Sequence, residues 1–102
     1  QILNESSYLM GIPHEFIKDN DIHVVDDYYG KAYGYPTEAG ISALRMVAEK
    51  EGILLDPVYT SKGMSGVLDM IKSGKLENAK DLVFLHTGGA PAIHPYAAHF
   101  KA

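Results

Sequence analysis

The sequence predicts an α/β fold built as a three-layer parallel sheet, of which these 102 residues supply only a part. Short β-branched or apolar runs alternate with helical patterns, the signature of strands joined by helical crossovers. One such run, Leu82-Val83-Phe84-Leu85, is continuously apolar, as a strand buried on both faces reads. The count of elements sets the limit. Two or three strands with two or three helices do not cover both faces of such a sheet, so residues 1–102 are expected to be a portion of a larger domain. The first residue is Gln, not Met, which is expected to mean that something upstream has been removed or left out.

In chain order, residues 1–18 read as the tail of a helix or turn structure, with Gly11 and Pro13 interrupting an apolar patch of Tyr8, Leu9, Met10 and Ile12. Ile22 to Val25 is short, β-branched and flanked by acids, which suits a strand. Tyr28 to Tyr35 contains four tyrosines and two glycines and is expected to be an irregular loop. Pro36-Thr37-Glu38 opens a helix, with Thr37 as N-cap and the Glu38 carboxylate near the positive end of the dipole. Ile41, Leu44 and Ala48, with Val47 beside them, give it an apolar face, and Gly52 fits the left-handed position that ends it. After the extended Ile53-Leu54-Leu55, Asp56-Pro57 makes a turn. A second helix is expected from about Ser61 to Ser73, apolar at Met64, Val67, Leu68 and Ile71, with Gly74 at its exit.

Composition narrows the partners. Apolar residues at 46% and charged residues at 22% are those of an ordinary globular protein. No apolar run approaches the ~20 residues that span a bilayer, so no membrane is expected. Nine basic against 13 acidic residues leave a net charge of −4, and the basic residues are scattered singly, which argues against nucleic acid. With no cysteine there is neither a disulfide framework nor a thiolate site, and the cytoplasm is the expected compartment. The sequon Asn4-Glu5-Ser6 has no signal peptide beside it and is not expected to be used.

Three segments carry possible chemistry. In open α/β sheets ligands bind beyond the carboxyl ends of strands, and "HTGGAP" (86–91) stands at such an end. Its glycines let backbone approach a ligand and Thr87 offers a hydroxyl, although a turn with glycines for geometry alone reads equally from pattern. In "DPVYTSKG" (56–63), Thr60 or Ser61 is expected to be the N-cap of the second helix, with Tyr59 at a core edge. Lys62 is read as a solvated lysine of the first turn in preference to a desolvated Schiff-base lysine. The loop "DDYYGKAYGYPTEAG" (26–40) is dense in phenols, which can grip a ring or an amino acid, or act as acid or base once a neighbouring charge lowers the pKa. His14, His23, His86, His94 and His99 lack the spacing of a metal site, and none is expected.

Taken together, "GYPTEAGISALRMVAEKEGILLDPVYTSKGMSGVLDMI" and "LVFLHTGGAPAIHPY" resemble the C-terminal part of the pyridoxal-phosphate enzymes that include D-cysteine desulfhydrase and 1-aminocyclopropane-1-carboxylate deaminase. The resemblance runs from about Val24 to Tyr96. It implies the two-domain fold of the tryptophan synthase β subunit, with pyridoxal 5'-phosphate in the cleft. It implies that Tyr59 and Tyr33 face the substrate and that the Thr87 hydroxyl meets the pyridine nitrogen, with Gly88 and Thr60 on the cofactor side. The cyclopropane-opening deaminases carry glutamate at the position of Thr60 and tend to have leucine at that of Thr87, so both residues point to the desulfhydrase side. A hydroxyl facing the pyridine nitrogen makes a weaker electron sink than a carboxylate would, which suits loss of a good β leaving group.

The implied function is α,β-elimination of a small amino acid, D-cysteine to pyruvate, ammonia and sulfide. 1-Aminocyclopropane-1-carboxylate deaminase and L-cysteate sulfo-lyase are the alternatives within the class, and a non-catalytic binding or assembly fragment is the alternative outside it. The family's Schiff-base lysine lies N-terminal to the matched region, and Lys62 is not its counterpart. The chain is therefore expected to act with an upstream segment of the same enzyme, in a homodimer, and to be inactive alone.

Overall fold

Regular structure in this chain is local. A computed structural model describes residues 1–12 and 17–100, so Pro13 and His14 of the N-terminal reading lie outside the described residues. Three α-helices appear among the described residues, α1 (Ile2–Leu9), α2 (Glu38–Glu51) and α3 (Thr60–Lys72), with a 3₁₀ turn at Asp19–Asp21 and a run of 3₁₀ turns at Ala90–Phe100.

Helix α2 begins and ends where its residues dictate. The Thr37 hydroxyl accepts the Gly40 N–H at 3.0 Å, and Glu38 lies in the first turn beside the unpaired amides. Gly52, at φ 68°, takes the left-handed conformation that returns its N–H to the Ala48 carbonyl, a position that penalises any side chain. The buried face is centred on Gly40, Ala43 and Leu44, while Ile41, Val47 and Ala48 flank it half-buried. Gly40 is there because α3 is close: a Cβ on it would stand 3.2 Å from the Ser61 Oγ.

Helix α3 departs from its apolar pattern. Its fully buried residues are Thr60, Ser61, Lys62, Ser65 and Gly66, whereas Met64, Val67 and Leu68 are half-buried and Ile71 is exposed. Small side chains on this stripe let α2 and α3 pack against each other, and that pairing is the principal contact between elements. Ala43, Leu44 and Leu55 are the buried hydrophobic side chains, with Pro57 and Asp56 enclosed beside them.

The expected three-layer parallel sheet is not present: among the described residues there is no β-strand. Ile22 to Val25, Ile53 to Leu55 and Leu82 to Leu85 have no β-ladder partners. A strand exists through its ladder, so an apolar run makes one only when a neighbour supplies the cross-strand bonds and packing. Here none does, and Val24 and Val83 are 87% and 88% exposed. The corrected architecture is a helix pair carrying extended and 3₁₀ segments.

That leaves much surface uncovered. A compact protein of 11.2 kDa exposes about 5,700 Å², against 8134 Å² here, and the radius of gyration of 16.3 Å exceeds the ~13 Å of a compact domain this long. No helix among the described residues is long and apolar enough to cross a membrane.

Candidate active site

Asp56 organises the turn that precedes α3. Its Oδ1 accepts the N–H groups of Val58 and Tyr59 at 2.8 and 2.7 Å, and its Oδ2 accepts the N–H and hydroxyl of Thr60 at 2.9 and 2.6 Å. The Thr60 Oγ1 in turn accepts the Asp56 N–H at 2.8 Å. Neither Thr60 nor Ser61 is the N-cap; the carboxylate three residues earlier supplies what a cap would, satisfying the amides that open the helix. Burial acts to raise the Asp56 pKa, but the four hydrogen bonds from Thr60, Tyr59 and Val58 outweigh it and hold the carboxyl below its ordinary value. Thr60 is buried with its hydroxyl both donating and accepting in this clasp.

The turn presents Tyr59 outward. Its phenol donates to the Tyr33 oxygen at 3.0 Å, with the rings 5.9 Å apart and tilted by 58°. That bond favours the protonated phenol, and together with desolvation and nearby negative charge it raises the Tyr59 pKa above that of a free tyrosine. Tyr59 also lines a cavity of about 400 Å³ with Asp56, Thr87, Gly88 and Gly89. A second cavity of about 290 Å³ lies beside it, between Tyr33, Tyr59, Tyr29 and Lys62. Of the five residues singled out in the sequence, Tyr59, Thr87 and Gly88 thus share one cavity, Tyr33 meets Tyr59 from the neighbouring one, and Thr60 sits behind the wall.

His86 fixes the glycine turn. Its Nδ1 accepts the Gly88 N–H at 3.0 Å, and its Nε2 lies 3.0 Å from the Leu54 carbonyl, which can only accept. The neutral tautomer protonated on Nε2 satisfies both contacts. Thr87 is exposed where it lines the cavity, and a Cβ built on Gly88 would meet nothing within 4 Å, so a flat ligand has room there.

Lys62 is where sequence reasoning missed. It was read as solvated, yet it is 7% exposed, and its Nζ donates to the Tyr29 carbonyl at 2.7 Å. The ammonium pins the tyrosine loop against α3. Two further bonds hold that loop: the Tyr28 hydroxyl to Asp69 at 2.6 Å, and the Tyr96 hydroxyl to the Gly34 carbonyl at 2.7 Å. A density of tyrosines was the only signal in the sequence that the loop would be tied down. Among the described residues no group of three His, Asp or Glu side chains could hold a metal ion.

The sequence of the chain matches that of a family of known proteins. Residues 4–88 match the profile of the pyridoxal-phosphate dependent enzymes. The chain is similar to the D-cysteine desulfhydrases of Salmonella newport, Salmonella heidelberg and Salmonella enteritidis, 47% identical to each over 79 residues. The aligned part is 78% of this chain but 24% of each relative, so the chain spans about a quarter of the length of the curated relatives it matches. Since the profile covers most of the chain, including most of α1, all of α2 and α3, the turn at Asp56, and Thr87 and Gly88, the chain belongs to the pyridoxal-phosphate-dependent enzymes.

Proposed function

We propose that this chain forms one wall of the active site of a pyridoxal-phosphate-dependent lyase that converts D-cysteine and water to pyruvate, ammonia and sulfide. The residues present fit the cofactor on one side. The cavity at Thr87 and Gly88 is near the lower end of the ~300–1,000 Å³ of small-molecule sites, and it offers an exposed threonine, an open glycine surface and an aromatic wall. Thr87 and Gly88 would hold the pyridine edge. Lys62 is engaged with the Tyr29 carbonyl, in keeping with a Schiff-base lysine that lies elsewhere in the enzyme.

Pyridoxal phosphate, when bound, supplies the electron sink that labilises bonds at the amino acid's α-carbon. The chain's own residues do the rest of what this wall contributes. Tyr59 keeps its proton at neutral pH, because its bond to Tyr33 favours the neutral phenol. It can therefore serve as an acid toward a departing sulfur, and Tyr33 orients it.

The observation that carries this reading is that Tyr59 and Thr87 line a single cavity in a chain 47% identical to D-cysteine desulfhydrases. Keto-acid formation by the complete protein from D-cysteine, L-cysteate and 1-aminocyclopropane-1-carboxylate tests it. Pyruvate from D-cysteine at the highest kcat/KM is expected. Preference for either other substrate would replace the assignment, and no product with no cofactor retained would leave a binding module.

A further inference from the structure

The carboxylate of Asp56 stands at the meeting of the two segments that carry the proposed site. It is 1% exposed, so it does not itself reach a ligand. On one side it accepts three backbone N–H groups and a hydroxyl from Val58, Tyr59 and Thr60. On the other it lies against Gly89, where a Cβ would come within 2.9 Å of both its Cγ and its Oδ2. At φ 91° Gly89 also holds a conformation closed to other residues, so the glycine turn can rest on the carboxylate only as built.

We propose that Asp56 is a positioning residue, which aims the Tyr59 phenol into the cavity it shares with the Thr87–Gly89 turn. The inference rests on the reading of Tyr59 as the substrate-facing phenol. Three features carry it. The bond to the Tyr59 N–H is the shortest of the three to backbone, at 2.7 Å, and so fixes the backbone from which the phenol projects. The reciprocal bonds with Thr60 close the turn, so the carboxylate cannot rotate without breaking them. The Tyr59 side chain is 59% exposed, so its direction depends largely on this anchor and on the bond and ring contact with Tyr33.

The test is a double-mutant cycle in the complete, cofactor-loaded enzyme. Asp56→Asn keeps size but turns a donor toward one of the donor pairs, which opens the turn. A displacement near 1 Å costs up to about a hundredfold in rate. We expect kcat to fall by roughly ten- to a hundredfold, with little change in KM. In a Tyr59→Phe background the same change should cost less than about threefold, because the aimed group is already gone. A second readout is spectroscopic and uses Thr60→Val, which loosens the turn while keeping the Asp56 charge that itself raises the Tyr59 pKa: the Tyr59 ionisation, identified by difference from Tyr59→Phe, should relax toward that of an ordinary tyrosine as its bond to Tyr33 is lost.

Equal fold losses in both backgrounds, or an unmoved Tyr59 titration, would overturn the proposal. If Asp56→Asn does not fold, Thr60→Val, which removes the clasping hydroxyl at constant size, must show the same non-additivity. Failure of the underlying reading has a separate signature. Tyr59→Phe alone would then leave kcat unchanged, which removes the catalytic part of the proposal, while the titration still decides whether Asp56 holds the phenol.

Discussion

Two glycines of α3 make a matched experiment on what packs against the helix. Gly63→Ala and Gly66→Ala are the same chemical change three residues apart. Each gains about 1 kcal/mol of helix propensity in an interior position. At Gly63 the new Cβ would stand 3.6 Å from the Phe84 ring, an ordinary contact, so that gain should be realised. At Gly66 it would stand 2.8 Å from the Tyr28 ring, which must then retreat by about 0.6 Å to reach ordinary contact distance. The ring is not free to do so, because its hydroxyl is held by Asp69 at 2.6 Å. Overpacking of this kind costs about 1–3 kcal/mol, so Gly66→Ala should come out between neutral and about 2 kcal/mol destabilised once the propensity gain is subtracted. Urea midpoints of the complete protein, with far-UV circular dichroism as the probe, measure both. Stabilisation of Gly66→Ala equal to that of Gly63→Ala would refute the contact between the Tyr28 ring and α3, and with it the anchoring of the tyrosine loop.

Three other outcomes are expected. The Ser61 Oγ is fully buried and has no hydrogen-bond partner, so Ser61→Ala should be neutral or stabilise by up to about 1 kcal/mol in the same urea experiment, since it removes an unpaired polar atom. Thr87→Leu should lower turnover of D-cysteine with an unchanged urea midpoint, because Thr87 is exposed and bears on the cavity and not on the core. Asp56 has a folded pKa below its unfolded value, so its contribution to stability is present above about pH 4 and is lost as pH falls through the lower folded value. Midpoints measured from pH 6 down to pH 2 should show that acid limb in the native sequence and a shallower one in Asp56→Asn.

The sequence was most legible where the structure is decided within a few residues. Thr37, Glu38 and Gly52 bound α2 as their chemistry requires, and the helix follows. It was least legible where an element depends on a distant neighbour. Leu82 to Leu85 has the apolar continuity of a buried strand, but continuity describes the side chains and not the partner that pairs the backbone. The stripe of Thr60, Ser61, Ser65 and Gly66 misled in the other direction. The apolar period places the inner face at Met64, Val67, Leu68 and Ile71, while the close approach of α2 at Ser61 and of the Tyr28 ring at Gly66 makes small size, not apolarity, the condition for being inside.

A similar division runs through the site. The resemblance assigned Tyr33 and Tyr59 to the substrate and Thr60 and Thr87 to the cofactor side, and hydrogen bonding sets Thr60 apart from the other three. The Thr60 hydroxyl both gives and receives within the Asp56 clasp, so it holds the turn. The phenols of Tyr33 and Tyr59 bond each other at the surface, where an arriving amino acid can exchange that contact for its own, and Thr87 is exposed where it lines the cavity. Lys62 and His86 belong with Thr60, since their nitrogens are engaged by the Tyr29 and Leu54 carbonyls and the Gly88 amide. A polar side chain whose bonds are all internal stabilises one geometry of its neighbours. One with capacity facing the cavity can change partners during a reaction, and that difference supports the proposal that Tyr59, Tyr33 and Thr87, not Thr60, touch a substrate or cofactor.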